Sequence, residues 1–217
     1  MGPLLHDVNV STKQASFAMA CFWSPDCIFG VTPGVIRTRV GYTGGVTQNP
    51  TYRKLGDHTE SILIEFDPQT ISYKQLLDIY WKNHDPTSKM KRQYTSLIFY
   101  HDNEQKKIAE DSFKEQEKIF SQSLVTEILE ASTFYDAEDY HQKYRLRQHP
   151  WLCKAVDLHS GTDFKRSHLA ARLNGYVYGQ GTIKQFNEEV EKLGINETVA
   201  DFVRTLIIKN EGQGLTC

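Results

Sequence analysis

Residues 16–30, SFAMACFWSPDCIFG, leave the chain the fewest choices. The apolar run 17–20 has the length and bounds of a buried strand. It stops at Cys21, Phe22 and Trp23, after which Ser24, Pro25 and Asp26 open a helix. Cys21 therefore sits where a strand hands over to a helix. Backbone N–H groups without helical partners and the positive end of the helix dipole converge there, and both favour a thiolate. Two readings of Cys21 follow. It is a nucleophile walled by Phe22 and Trp23, or it is inert core, the commoner fate of a cysteine.

Composition narrows the classes. With 217 residues, 39% hydrophobic and 24% charged, the chain can bury one sizeable core. Its net charge of −2 comes from 25 basic and 27 acidic residues without a long basic run, which argues against nucleic acid or an anionic membrane as partner. No apolar stretch approaches the ~20 residues of a membrane span. The opening MGPLLHDVNV has neither a basic n-region nor a long apolar h-region, so a cytoplasmic or nuclear location is expected. Cys21, Cys27, Cys153 and Cys217 are too few and too irregularly spaced for a disulfide scaffold, and reduced thiols are expected. His149, Cys153 and His159 have loosely metal-like spacing but lack an evident fourth ligand, so no metal is assigned.

Periodicity then orders the chain. Residues 1–14 read as a flexible leader, 15–148 as an α+β domain and 149–217 as a helical extension with a Gly-rich tail. After the first helix, 35–41 alternates as a strand and 41–56 is a long loop rich in Gly, Asn and Pro that carries Tyr42 and Tyr52. Residues 58–66 alternate again, with Glu60 sharing the parity of Ile62, Ile64 and Phe66. A carboxylate so placed is paired, frayed into solvent at the strand end, or partly desolvated with a raised pKa that suits proton donation. A capping box at Ser72 and Gln75 starts a helix to about His84; strand 94–100, charged helix 103–121 and strand 126–132 follow. The order strand, helix, strand, strand, helix, strand predicts a split βαβ, ferredoxin-like core with a mixed sheet, long loops and a helical C-terminal appendage. Residues 134–144, dense in aromatics and acids, are expected to close over a pocket, while His141 and Asp139 either shape that pocket or form an exposed helical pair. Helical patterns at 165–172, 182–193 and 197–209 build the appendage.

Seven ordered motifs carry a resemblance. They are ACFW at Cys21, VGYTGG at Val40, NPTY ending at Tyr52, DHTE ending at Glu60, NHDPT at Asn83, QYTS at Tyr94 and FYDAEDYHQKY at Phe134. Over about residues 17–144 the chain resembles peptide methionine sulfoxide reductase A. The resemblance implies that Cys21 is the reductant, that Phe22 and Trp23 hold the substrate methyl group, that Glu60 is the acid and that Tyr52 and Tyr94 hold the oxygen. It implies the S epimer of methionine sulfoxide, free or in proteins, as substrate. Cys217, beyond Gly212 and Gly214, resembles the family's Gly-rich resolving tail; a bystander role for it, with Cys153 resolving instead, stays open. A thioredoxin-type dithiol is the implied external reductant, and no bound cofactor is implied. Three departures stand out. Ala20 replaces the family's usual Gly, the Gly-Asn-Asp-His segment before the QY tyrosine is missing along with its acid, and the loop between Tyr52 and Glu60 is short. Residues 150–210 lie outside this core resemblance.

The chemistry agrees with those roles. A sulfoxide is a poor electrophile because its oxygen would leave as oxide, so donors must gather on that oxygen while a thiolate attacks the sulfur. Loss of the oxygen leaves a cysteine sulfenic acid, which condenses with a second thiol. Two other classes compete: a module that binds oxidised methionine through Phe22 and Trp23 without turnover, and a cysteine hydrolase or transferase using His58 or His141 as base.

Overall fold

The computed structural model describes residues 2–211. Six strands, β1 (Lys13–Ala18), β2 (Val35–Thr43), β3 (Thr59–Phe66), β4 (Leu97–Tyr100), β5 (Glu127–Glu130) and β6 (Tyr135–Asp136), form one sheet in the order β5-β4-β1-β3-β2-β6. Every pairing is antiparallel except β4 with β5, so the sheet is mixed. Helices α1 (Trp23–Gly30), α2 (Tyr73–Lys82) and α3 (Asn103–Glu117) are interleaved with these strands in an α+β arrangement. Phe17, Ile62, Ile64 and Ile98 from the sheet pack against Leu76, Leu77, Tyr80 and Trp81 of α2 and Ala109 of α3.

Local chemistry accounts for the element ends. The Ser72 hydroxyl accepts the Gln75 N–H and Gln75 Oε1 accepts the Ser72 N–H, the capping box read from sequence. The first strand is a correction. It runs Lys13–Ala18 rather than over 17–20, because Ala20 has φ +62°, a left-handed conformation that no strand continues through. Lys13 and Gln14, expected in the leader, pair with Phe66 and Glu65. Strand β4 is likewise shorter than expected, because residues Arg92–Tyr94 form a 3-10 turn before it.

Residues 144–210 form six helices: α4 (Tyr144–Arg147), α5 (Pro150–Ala155), α6 (Gly161–Arg166), α7 (His168–Tyr176), α8 (Ile183–Leu193) and α9 (Glu197–Asn210). The helix expected over 165–172 is interrupted at Ser167, whose hydroxyl caps α7. Leu146, Leu152, Leu173, Phe186, Val203 and Ile207 share one apolar cluster with Val31 from the end of α1. Helix α7 is buried from Leu169 to Tyr176 and lies against α1. Glycine permits that approach: a Cβ on Gly30 would strike the Ala171 carbonyl, and one on Gly175 the Cys27 carbonyl. The opening residues are also tied down, since the His168 and Leu169 N–H groups donate to the carbonyls of His6 and Leu5.

A buried ion pair joins the layers. Lys143 Nζ donates to Asp26 Oδ1 at 3.0 Å and to the Thr38 carbonyl at 2.7 Å, and both charged side chains are essentially buried. Asp26 also accepts the Thr38 hydroxyl at 2.6 Å and the Lys143 N–H at 3.2 Å. Such a pair is satisfied only as a unit, so Asp26→Ala leaves a buried ammonium and should cost about 3–5 kcal/mol in denaturant unfolding. A loss below about 1 kcal/mol would contradict this account of the pair.

Burial also holds His84, His101, His141, His149 and His168 below the ordinary histidine value of 6.5. The unfolded chain takes up protons near 6.5 that the folded chain refuses, so this part of the stability is complete above 6.5 and is lost as pH falls through the lower folded values. The melting temperature should be level from about pH 8 to 7 and should decline from about pH 6.5 to 5.5. A rise over the lower range would contradict the assignment.

Candidate active site

Cys21 stands between Ala20 and Phe22, the cap of α1, and two residues before the first helical turn. The left-handed Ala20 turns the chain out of β1, at a cost of roughly 1–2 kcal/mol that glycine would not incur. The turn is then fixed by a bond across the molecule, in which the Phe22 N–H donates to Glu60 Oε2 at 3.2 Å. Glu60 itself is 1% exposed, opposite Tyr42 in the β2–β3 ladder. Of the readings open for it, the frayed, solvated strand end is excluded. Its second oxygen, Oε1, accepts the Gln93 side-chain amide at 2.8 Å.

Gln93 and Tyr94 reach this position through Arg92. The Arg92 guanidinium donates to the Gly44 and Asp57 carbonyls at 2.9 and 3.1 Å, and the Thr59 hydroxyl donates to the Arg92 carbonyl at 2.8 Å. The loop on the other side is ordered by Asp57, which accepts the Val46 and Thr47 N–H groups and the Thr47 hydroxyl. These bonds, the one from Val46 foremost, hold the Asp57 carboxyl well below the usual range. Burial raises the Tyr94 phenol above its ordinary value, and a hydrogen bond with Tyr52 and the nearby charges of Glu60 and Cys21 raise it further.

Ala20, Cys21, Phe22, Trp23, Tyr52, Glu60, Met90 and Tyr94 line a single pocket of about 410 Å³. Six of the seven site residues read from sequence thus meet in one place, and the seventh, Cys217, lies outside the described residues. The aromatic wall is braced from behind. Trp23 stacks on Tyr144 with ring centroids 3.7 Å apart and 3° between planes, and its indole N–H donates to His141 Nδ1 at 3.2 Å. Phe22, 1% exposed, packs between Tyr42 and His141. His141 is buried against the pocket wall, which settles its place between the two sequence readings.

The chain as a whole is similar to known proteins. A family model described as peptide methionine sulfoxide reductase matches residues 13–173. The chain belongs to that family. A second model, described as selenoprotein methionine sulfoxide reductase A, helical domain, matches residues 160–208, so the C-terminal helices are part of the family likeness and not outside it. A peptide methionine sulfoxide reductase of Drosophila melanogaster is 48% identical over 98% of this chain and 87% of its own length. Peptide methionine sulfoxide reductase A5 of Arabidopsis thaliana is 42% identical over 76% of this chain and 68% of its own. Among solved structures, methionine sulfoxide reductase A of Corynebacterium diphtheriae superposes with a TM-score of 0.57 at 29% identity, covering 69% of this chain and 83% of that one.

For a peptide methionine sulfoxide reductase, two site neighbours were missed from sequence. Gln93 was passed over as part of the short segment before Tyr94, yet it is the side chain that reaches Glu60. Glu138 lies within the quoted FYDAEDYHQKY motif and received no role. Its Oε1 accepts the Tyr52 N–H at 2.9 Å and its Oε2 accepts the Tyr42 hydroxyl at 2.8 Å. Burial opposes its charge, but bonds from its own backbone, Tyr52 and Tyr42, together with His141, outweigh burial and hold the carboxyl below the usual range. Burial and this same carboxylate push the Tyr42 phenol far above its ordinary value. A charge-assisted bond contributes about 1.5–3 kcal/mol, so Glu138→Gln should speed hydrogen exchange of the Tyr52 amide by about tenfold or more without global unfolding. An unchanged Tyr52 exchange rate would show that the carboxylate does not hold this loop.

Proposed function

We propose that this chain reduces the S epimer of methionine sulfoxide, free or in exposed protein segments, to methionine. The observation that carries the reading is the convergence of Cys21 with Glu60, Tyr52 and Tyr94 in one aromatic-walled pocket. The Cys21 thiolate attacks the sulfoxide sulfur while Phe22 and Trp23 hold the methyl group. The protonated oxygen leaves as water, and a water then adds to the Cys21 sulfur as the new S–S bond breaks, so that Cys21 becomes a sulfenic acid and methionine leaves. Glu60 supplies a proton that lets the oxygen leave, and the Tyr52 and Tyr94 hydroxyls steady it as charge develops. Loss of the family's second acid does not strand Glu60, because Gln93 occupies its other oxygen.

A second thiol closes the cycle. Cys153 is 7% exposed within the helical cluster, burial raises its pKa, and its Sγ lies 3.4 Å from the Leu146 carbonyl. A buried, protonated thiol attacks slowly. Cys27 is fully buried on α1. These placements favour Cys217 as the resolving thiol, with a thioredoxin-type dithiol reducing the resulting disulfide and no bound cofactor. Among the described residues no helix is long and apolar enough to cross a membrane. The antiparallel order β4-β1-β3-β2, with α1 and α2 as connections, supports the finer description of the core as a ferredoxin-like split βαβ.

The hydrolase reading fits poorly. His58 Nδ1 accepts the Gly45 N–H at 3.2 Å, so Nε2 carries the proton and donates to the Thr47 carbonyl at 2.7 Å. His141 Nδ1 is engaged by the Trp23 indole, which leaves Nε2 as the protonated nitrogen. Neither offers a lone pair to activate a thiol.

The test uses a peptide carrying racemic methionine sulfoxide, with epimers resolved after reaction. With dithiothreitol the S epimer alone should disappear, and Cys21→Ser should abolish its loss. Cys217→Ser should complete one stoichiometric turnover and stall with thioredoxin. Binding without conversion would support the recognition module instead, and undiminished thioredoxin-driven turnover in Cys217→Ser would move the resolving role to another thiol.

A further inference from the structure

Met90 lines the same pocket as Cys21, Glu60, Tyr52 and Tyr94, yet the reaction above gives it no part. It is 49% exposed, whereas Met19 is 4% exposed in the core. Met90 lies in the stretch without regular structure between α2 and the 3-10 turn at Arg92–Tyr94. It also lines a second, smaller cavity of about 140 Å³, together with Ala20, Tyr94 and His84. A half-exposed thioether on three rotatable bonds that lines two cavities is accessible to oxidant and able to turn towards the pocket. Among the described residues it is the methionine that an aqueous oxidant meets first.

We infer that Met90 is an internal substrate: once oxidised to its sulfoxide, it is restored by Cys21 of the same chain. In the first step a peroxide gives one oxygen to the Met90 sulfur and leaves as water. In the second the Cys21 thiolate bonds to the sulfoxide sulfur as its oxygen, twice protonated, leaves as water; a water then adds to the Cys21 sulfur and breaks the new S–S bond, which leaves a cysteine sulfenic acid and regenerates the Met90 thioether. The thiol supplies the two electrons, and an added dithiol reduces the sulfenic acid. This rests on the reductase reading and extends it to a site within the chain. Because donor and acceptor are tethered, repair is unimolecular and does not depend on protein concentration. A lining methionine restored in this way rids the pocket of a polar oxide after each oxidant exposure.

The experiment caps the cysteines as reversible mixed disulfides, oxidises the full chain with dilute hydrogen peroxide, removes the peroxide and frees the thiols with dithiothreitol. The mass of the Met90 peptide is then followed in wild type and in Cys21→Ser, with a methionine sulfoxide peptide added to a parallel portion. Wild type should lose about half of the added oxygen at Met90, the share of one epimer. The rate constant should stay the same on dilution, and Cys21→Ser should keep all the oxygen. The inference is overturned if Met90 gains no oxygen, if its sulfoxide persists in wild type, if the rate scales with protein concentration, or if Cys21→Ser loses the oxygen too. Persistence at Met90 while the added peptide is reduced refutes this inference alone; failure on both refutes the reductase reading as well.

Discussion

The hydrogen bond from the Phe22 N–H to Glu60 Oε2 joins the turn that carries the thiol to the strand that carries the acid. Glu60 is buried, so its two oxygens need partners, and it finds one in the Phe22 N–H and the other in the Gln93 amide. One carboxyl thereby sets the distance between Cys21 and the turn ending at Tyr94. The bond to Phe22 couples the position of the carboxyl to the position of the sulfur.

Two further parts of the fold buttress the elements that this bond joins. The segment 137–143 acts as a strap over β2. The Gln142 side chain accepts the Val40 N–H and donates to the Val40 carbonyl, much as a neighbouring strand would. The next residue, Lys143, in a left-handed conformation, sinks its ammonium onto Asp26 of α1. The strap therefore fixes His141 behind Phe22 and Trp23 and anchors α1 through one buried charge pair. From the far side, α7 presses on α1 at Gly30 and Gly175. The helical C-terminal segment contributes to the site by bracing the helix whose start carries the thiol.

Much of the site was legible because its signals are local. The junction at Cys21 is a change of periodicity, the capping box at Ser72 is a spacing, and the inward direction of Glu60 is a parity. The motifs extended this to Tyr52 and Tyr94, which no local rule would have joined to Cys21. What escaped the sequence is non-local. Glu138 meets Tyr52 across 86 positions, and Asp26 meets Lys143 across 117. Neither pairing has a periodicity to betray it. The strand end at Ala18 was missed because an apolar run continues through Met19 and Ala20, while the backbone, reversed by a positive φ, does not. The leader was misread because short apolar segments such as Leu4 and Leu5 reveal their docking site only when the helices they touch are in place.

The central claim is that Glu60 protonates the departing oxygen while Cys21 attacks. The direct measurement is the single-turnover rate of Cys21 oxidation by a methionine sulfoxide peptide in wild type and in Glu60→Gln, which keeps the shape and the acceptor for the Phe22 N–H. The account predicts that the rate falls by about 10²–10⁴ while peptide affinity changes little. A Glu60→Gln chain that oxidises Cys21 at the wild-type rate would contradict it.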